Sequence, residues 1–430
     1  MILMIMFTAF SITLALARYS GIRNATGFFA LYVIVGGFLP YTQVLFSDQP
    51  PSGFFRYIEG ADGDKALAVL VFASIVAILI GSVRLSTFEK GVSNKNIAYS
   101  IDAKLTAYIF AISIACLTIY LCVMAISYGG MAQFTGASYR RAQLLNSTVN
   151  YFSLVSWGGI CGTTIAFHCY RRLSKKPVLT ALAIISVSLC TVVTLASGGR
   201  SVFILFIFGL FLDKIVSARP LRLFAYASAG VVFTALASYM MLTARYRAQG
   251  ASILDQNAPS IIEGALTGTS YVDHVAISIQ YAESEGYDYG QSYINAFLSF
   301  IPRSIYSDKP QLLSAEIRAF LFGDYSGGVP PGIFGEGYIA LGIFGVTIIA
   351  LLYGIVLRRT NRLVRNAMIT NCPLRYACAG IIIPLVGFVL VRGGVDIGVF
   401  RVGIPLFWIF VFVTLIHRFN KTRSTASGSN

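Results

Sequence analysis

The sequence predicts an all-α protein that crosses a membrane many times, and three observations support this. Of its 430 residues, 56% are hydrophobic and only 12% charged, with a mean hydropathy of +0.72 that no ordinary soluble domain approaches. Largely uncharged stretches recur along the chain, each close to the ~20 residues that carry an α-helix through the hydrocarbon core. Lys and Arg gather between alternate stretches, as the bias toward positive cytoplasmic loops requires.

In chain order the predicted spans are 1–17, 25–46, 66–83, 105–127, 150–170, 178–197, 201–218, 223–243, 337–357, 376–391 and 402–417, about eleven in all. The opening "MILMIMFTAFSITLALARYS" carries a small-x-small pair, Ala15 and Ala17, behind an apolar run. It has no positive n-region, and Arg18 and Arg23 follow it, so it reads as a retained span rather than a cleaved signal. Six basic clusters fall on one side: 18–23, 84–104, 171–176, 214–222, 358–375 and 418–423. That side holds 21 of the 33 basic residues against three acidic ones, Glu89, Asp102 and Asp213, so it is the cytoplasm and the N-terminus lies outside.

The net charge of +15 is therefore mainly a topology signal. Nucleic-acid binding would need these cations on one soluble module with stacking aromatics, and the sequence has none. The seven cysteines lie in or at the cytoplasmic ends of spans, without a CxxC or Cys/His cluster, so neither a disulfide nor a metal is expected.

Organisation follows from the spans: 1–243 holds the first eight, 244–336 is a large external segment, 337–417 holds the last three, and 418–430 is a cytoplasmic tail. The external segment has ten carboxylates and three stretches with apolar residues at helical spacing. In 271–284 these are Val272, Val275, Ala276 and Ile279; in 291–301 they are Ile294, Phe297, Leu298 and Ile301. The third starts after Asp308, a candidate N-cap with Pro310 in the first turn, and runs through Leu313, Ile317, Phe320 and Leu321 to Gly323. Amphipathic helices of this kind lie on the outer leaflet or cover the membrane domain, so the segment reads as a lid.

Between the second and third helices, "IPRSIYSDKP" makes a corner that holds Arg303 and Lys309 at the membrane boundary. Either could simply meet lipid phosphates there. Arg303 has company, however: Arg200 in "SGGR", Arg245 and Arg247 in "TARYRAQG", and Arg392 and Arg401 in "VRGGVDIGVFR" all stand at external ends of spans. Cations there work against the sorting rule and are costly within hydrocarbon, which an anionic partner would offset. All are Arg and none Lys, which suits planar, bidentate recognition of phosphate. Gly198, Gly199, Gly393 and Gly394 beside them allow close backbone approach. An anion held at the outer leaflet, below a lid rich in tyrosines, suggests a lipid-linked diphosphate sugar. Arg401 is equally well explained as an interfacial anchor, and Arg140 and Arg141 in "GASYRRAQLLN" as headgroup anchors or guides for a diphosphate.

The stretches "IPRSIYSDKP" and "GVPPGIFGEGYIALGIFG", with "SGGR", resemble motifs of the oligosaccharide repeat-unit polymerases of the Wzy-dependent pathway, and the likeness in layout covers most of the chain. The related O-antigen ligases share that layout, but a functional His tends to stand where this sequence has Glu336. His168, His274 and His417 do not match it, which favours polymerase over ligase. The resemblance implies a class C type of glycosyltransferase on the outer face of the bacterial inner membrane, needing no metal or other cofactor. A polyprenyl-diphosphate-linked glycan is the donor and the non-reducing end of an incoming lipid-linked unit the acceptor. A chain-length-regulating co-polymerase is the implied partner.

On this reading Arg200, Arg245, Arg247, Arg303 and Arg392 bind the diphosphate and stabilise the charge that develops as it leaves. Glu336, at the outer entry of the ninth predicted span, is the first candidate for the group that accepts or orients the acceptor's proton; it would equally serve as a helix cap. Asp273, His274 beside it, Asp308 and Asp396 are weaker candidates. Asp308 reads as a cap and Asp396 as an ion-pair partner of Arg392 one helical turn away. A lipid-linked-oligosaccharide flippase would also use external arginines, but should show inverted repeats, discontinuous helices or charges near mid-bilayer. Few such signs are visible in the sequence.

Overall fold

A computed structural model of the protein describes residues 25–38, 40–41, 60–82, 102–127, 153–173, 176–196, 200–217, 270–299, 301, 305–306, 308–325, 328–370 and 372–427. Among them there is helix and no strand. In order the helices are α1 (Ala25–Val33, continued by a π-helical turn Ile34–Phe38), α2 (Gly60–Ser82), α3 (Ala103–Ser127), α4 (Ser153–Tyr170), α5 (Pro177–Ala196) and α6 (Arg200–Ser217). Then come α7 (Val272–Glu285), α8 (Gln291–Leu298), α9 (Leu313–Phe322), α10 (Gly332–Thr370), α11 (Pro373–Pro384, continued by a second π-helical stretch Leu385–Leu390) and α12 (Val391–Ser427).

Six stretches among the described residues are long and apolar enough to cross a bilayer: Asp62–Ser82, Ala103–Ser127, Pro177–Leu195, Gly332–Thr370, Pro373–Val395 and Arg401–Phe419. Large side chains such as Ile126 and Val178 stand exposed on them, 81% and 68% accessible, as lipid-facing positions do. The chain is thus an all-α membrane protein. The expected spans 150–170 and 201–218 are helices of 18 residues each, and those at 1–17 and 223–243 lie outside the described residues.

The chain divides into two compact units. The first comprises Met1–Val83, Ser228–Asn361 and Ile383–Val402. Here α1 and α10 meet through Phe29, Phe334 and Tyr353, whose rings stand edge to face at 5.0 to 6.3 Å, the preferred aromatic geometry. Asn361 ties the start of α1: its Oδ1 accepts the Ala25 N–H at 2.8 Å and its Nδ2 donates to Thr26 Oγ1 at 2.6 Å. That satisfies helix-end groups which hydrocarbon leaves without partners.

The second unit comprises Arg84–Ala227, Arg362–Ile382 and Gly403–Asn430. Its centre is the glycine-rich face of α4, where Trp408 lies over Gly158 and Phe412 over Gly162, close enough that a Cβ would stand 2.6 and 2.7 Å from their rings. Small residues let membrane helices approach in this way. Trp408 Nε1–H donates to the Leu154 carbonyl at 2.7 Å, and Thr163 and Ser186 share a buried hydrogen bond of 2.6 Å.

Two features differ from the sequence expectation. Helix α7 is no surface helix: every residue from Val272 to Ile279 is buried. The Tyr271 N–H donates to the Gly36 carbonyl in the π-helical turn at 2.9 Å, and the Tyr271 ring stacks on Tyr32 at 5.0 Å. Apolar spacing marks one face; packing on α1 and α2 buries the rest. Helix α9 begins at Leu313 with Leu312 as N-cap, so Asp308, exposed four residues earlier, is not its cap. The expected stop at Gly323 holds: its φ is 72° and its N–H donates to Ala319 O at 2.8 Å.

Candidate functional site

The site in the first unit is built from two chain reversals, one inside the stretch 337–357 that hydropathy reads as continuous and one between the predicted spans 376–391 and 402–417. In α10 the break falls at Leu341 and Gly342, the latter at φ 61°, ψ −142°, a conformation that demands glycine. Gly345 lies so close to the Gly337 carbonyl that a Cβ there would overlap it. Residues eight apart in a straight helix are ~12 Å apart along the axis, so the chain folds back at 341–342. The predicted span 337–357 is therefore split: a short helix 332–340 precedes the break and the long apolar helix follows it. The Asp288 and Tyr289 N–H groups cap this short helix, donating to the Ile339 and Ala340 carbonyls at 3.0 and 3.1 Å.

The second break is at Gly394 in α12, with φ 74° and ψ −173°. Here Gly398 comes against Leu390, a Cβ standing 2.7 Å from its Cδ1, so the chain folds back again. The reversal falls between Arg392 and Asp396, so the two do not lie one turn apart on a continuous helix. The Asp396 side chain is outside the described atoms.

The two breaks meet at Glu336. Its side chain is 1% exposed and its carboxylate lies against the Gly394 backbone, where only a residue without Cβ leaves room. Oε2 accepts the Val395 N–H at 2.5 Å. Glu336 is thus a helix cap, but of the helix that restarts after Gly394 rather than of its own. A carboxylate on such an N-terminus gains a charge-assisted hydrogen bond and a favourable dipole. Reciprocally, Gly332, at φ 71°, lies by the Val391 carbonyl.

Helix α7 closes the site from another side. Asp273 Oδ1 accepts Ser270 Oγ–H at 2.8 Å and the His274 N–H at 3.0 Å, while His274 Nε2 lies 4.0 Å from the same oxygen. Both residues are buried, at 3% and 2% exposure. Burial pushes the His274 imidazole down to about 4, opposed by Asp273 and reinforced by the Arg392 guanidinium, so the ring is neutral at neutral pH. Arg392, half-buried, lies within electrostatic reach of both His274 and Tyr32. Ser278, one turn beyond His274, donates to the His274 carbonyl at 2.8 Å and reaches Pro331 O at 3.3 Å. It thereby locks α7 onto the approach to Glu336. Outside this cluster, Gln280 donates to Asp62 at 2.9 Å and Lys65 pairs with Glu283 at 3.0 Å, fastening α7 to α2.

Of the sequence-predicted residues, Glu336, Arg392, Asp273 and His274 are therefore brought together. Lys309 instead plays a structural role. Its ammonium donates to Ser299 O at 2.6 Å and Ile301 O at 3.1 Å, closing the carbonyl end of α8. Arg200 opens α6 and Arg401 sits on α12, half-buried. The Arg200 side chain and all of Arg140, Arg141, Arg245, Arg247 and Arg303 lie outside the described residues. Sequence reasoning missed Ser270, Ser278 and the Val395 N–H; the glycine pair in "VRGGV" was their one visible signal.

Compared with protein-family models, with curated proteins and with solved structures, the chain matches none.

Proposed function

We propose that the protein polymerises lipid-linked oligosaccharide repeat units, working as a multi-pass protein of about eleven spans at the outer face of the bacterial inner membrane. The N-terminus and the segment 244–336 face the periplasm, and the C-terminus faces the cytoplasm. The observation that carries this reading is the buried carboxylate of Glu336, held at two helix breaks in the same unit as the Arg392 guanidinium and the neutral His274. Enclosed carboxylates and guanidiniums are costly in a membrane protein and mark sites of function.

In the proposed reaction a hydroxyl at the non-reducing end of the incoming unit attacks the anomeric carbon of the donor glycan. The new C–O bond forms as the bond to diphosphate breaks, the electron pair leaving with polyprenyl diphosphate. The hydroxyl proton passes to Glu336 and from there to water. Arg392, with Arg245, Arg247 and Arg303 of the same unit, neutralises the departing diphosphate; each charge pair about 4 Å apart contributes roughly 4 kcal/mol at an effective dielectric near 20. Glu336 is restrained through Oε2 by the Val395 N–H, which fixes its direction before substrate arrives.

The test is the surface glycan of cells lacking the gene, complemented by variants. Loss of polymerisation leaves single capped repeat units. Glu336→Gln keeps an oxygen for the Val395 N–H but removes the proton acceptor, and Arg303→Lys and Arg392→Lys keep charge but lose the planar fork. All three are expected to collapse the chain-length ladder, and unchanged ladders would overturn the reading. The broken helices also support a second reading, transport of the lipid-linked oligosaccharide, because discontinuous helices whose ends face ions are the usual construction of transporter sites. Deletion would then leave no lipid-linked glycan on the outer face, instead of single units.

A further inference from the structure

We infer that Tyr293 is a positioning residue for the acceptor sugar, its phenol hydroxyl donating a hydrogen bond to the substrate beside the Glu336 carboxylate. This rests on the proposed polymerase reading and adds to it a residue and a ligand chemistry. The Tyr293 hydroxyl is shielded from solvent and has no hydrogen-bond partner among the described residues. Buried phenols ordinarily find one, so an orphan beside a candidate site points to a partner that arrives with the ligand.

The placement of this hydroxyl is built. The turn ahead of α8 is anchored to the helix that carries Glu336, through the Asp288 and Tyr289 N–H bonds to Ile339 and Ala340. Asp288 then organises the start of α8, its Oδ1 accepting the Gly290 N–H at 2.8 Å and its Oδ2 the Ser292 N–H at 3.1 Å. Gly290 at φ 86° supplies the left-handed step between them. One short connection thus fixes Tyr293 relative to Glu336, close enough that the Glu336 and Asp288 charges act on the phenol. Burial first, and those two carboxylates after it, hold the phenol protonated, so it acts as a neutral donor. It is not a base, and it cannot hold the diphosphate as a cation would. What a neutral donor beside a carboxylate acceptor recognises is a vicinal pair of hydroxyl and ring or hydroxyl oxygens, which is the chemistry of a sugar terminus.

The experiment uses the full-length protein in nanodiscs, with lipid-linked repeat units extracted from cells lacking the gene as the probe. For Tyr293→Phe the expected result is a rise of about tenfold in the KM for the repeat unit, the loss of one hydrogen bond, with kcat changed less than threefold. The melting temperature should be unchanged or higher, because an orphan buried hydroxyl has been removed. A lower melting temperature with kcat and KM falling together would overturn the inference and make the hydroxyl structural; unchanged kinetics would overturn it as well. Glu336→Gln and Arg392→Lys, run alongside, separate the two levels. If they abolish polymerisation while Tyr293→Phe is silent, only the Tyr293 assignment fails. If they too are silent, the polymerase reading fails.

Discussion

The two units solve the problem of polar groups in a membrane protein in opposite ways. Among the described residues of the second unit, the buried polar groups are Ser, Thr and His168. Ser113, Thr164 and Thr194 donate to carbonyls one turn back in their own helices. His168 Nε2 pairs with the Gly209 carbonyl at 2.8 Å and its ring lies parallel to Tyr376, which is the behaviour of a satisfied core histidine. The first unit instead buries carboxylates, Asp62, Asp273 and Glu336, and reverses the chain at two positive-φ glycines between helices, Gly342 and Gly394. The difference teaches where chemistry can reside. Unbroken helices satisfy their own backbone, whereas a break exposes N–H groups that a buried anion can use.

The comparison is tested most severely at Gly394. Gly394→Ala forces a Cβ onto the Glu336 carboxylate at a glycine-only φ, and strain plus overpacking should cost about 3 to 5 kcal/mol; loss of folded protein on size-exclusion in detergent is the expected outcome. Gly403→Ala in the second unit, where nothing lies within 4 Å of the new Cβ, should instead be neutral or stabilising by up to about 1 kcal/mol.

Next in size is an acid effect at His274 in the first unit. The His274 imidazole sits at about 4 in the fold against 6.5 in the unfolded chain. The unfolded state therefore takes up the proton first, and stability falls as pH drops through 6.5 and levels off below about 4. The loss is of order 3 kcal/mol. Thermal unfolding of the wild type and His274→Gln at pH 7 and pH 4.5 should show a steeper loss of stability in the wild type.

A smaller effect is expected in the second unit: Thr163→Val removes one interhelical hydrogen bond, at about 0.6 to 1.7 kcal/mol, and leaves the glycan ladder intact. The smallest is Lys65→Met. The ion pair with Glu283 is half exposed on both sides, so the melting temperature should stay within the error of the measurement, as solvent screening of a surface pair requires.

Much of the fold was legible because hydropathy is a local average: spans such as 66–83, 105–127 and 178–197 correspond to α2, α3 and α5. The end of α9 was legible for a related reason, since Gly323 needs only its own left-handed φ to close a helix. The depth of α7 was not, because burial of its second face depends on the Tyr271 bond to Gly36, far away in sequence. Likewise Asp308 carries the residue type of a cap, but the helix start is set by where Leu313 and Ile317 find their core.

By itself, then, the sequence determined an all-helical membrane chain, where along it the cations cluster, and a short list of charged residues that hydrocarbon makes costly. Tertiary structure alone decided that Glu336 caps the restart at Val395, 59 residues away, and that the chain reverses at Gly394, between Arg392 and Asp396. The physical reason is that composition sets the free energy of placing a segment in lipid, whereas the partner of a buried carboxylate depends on where the chain reverses.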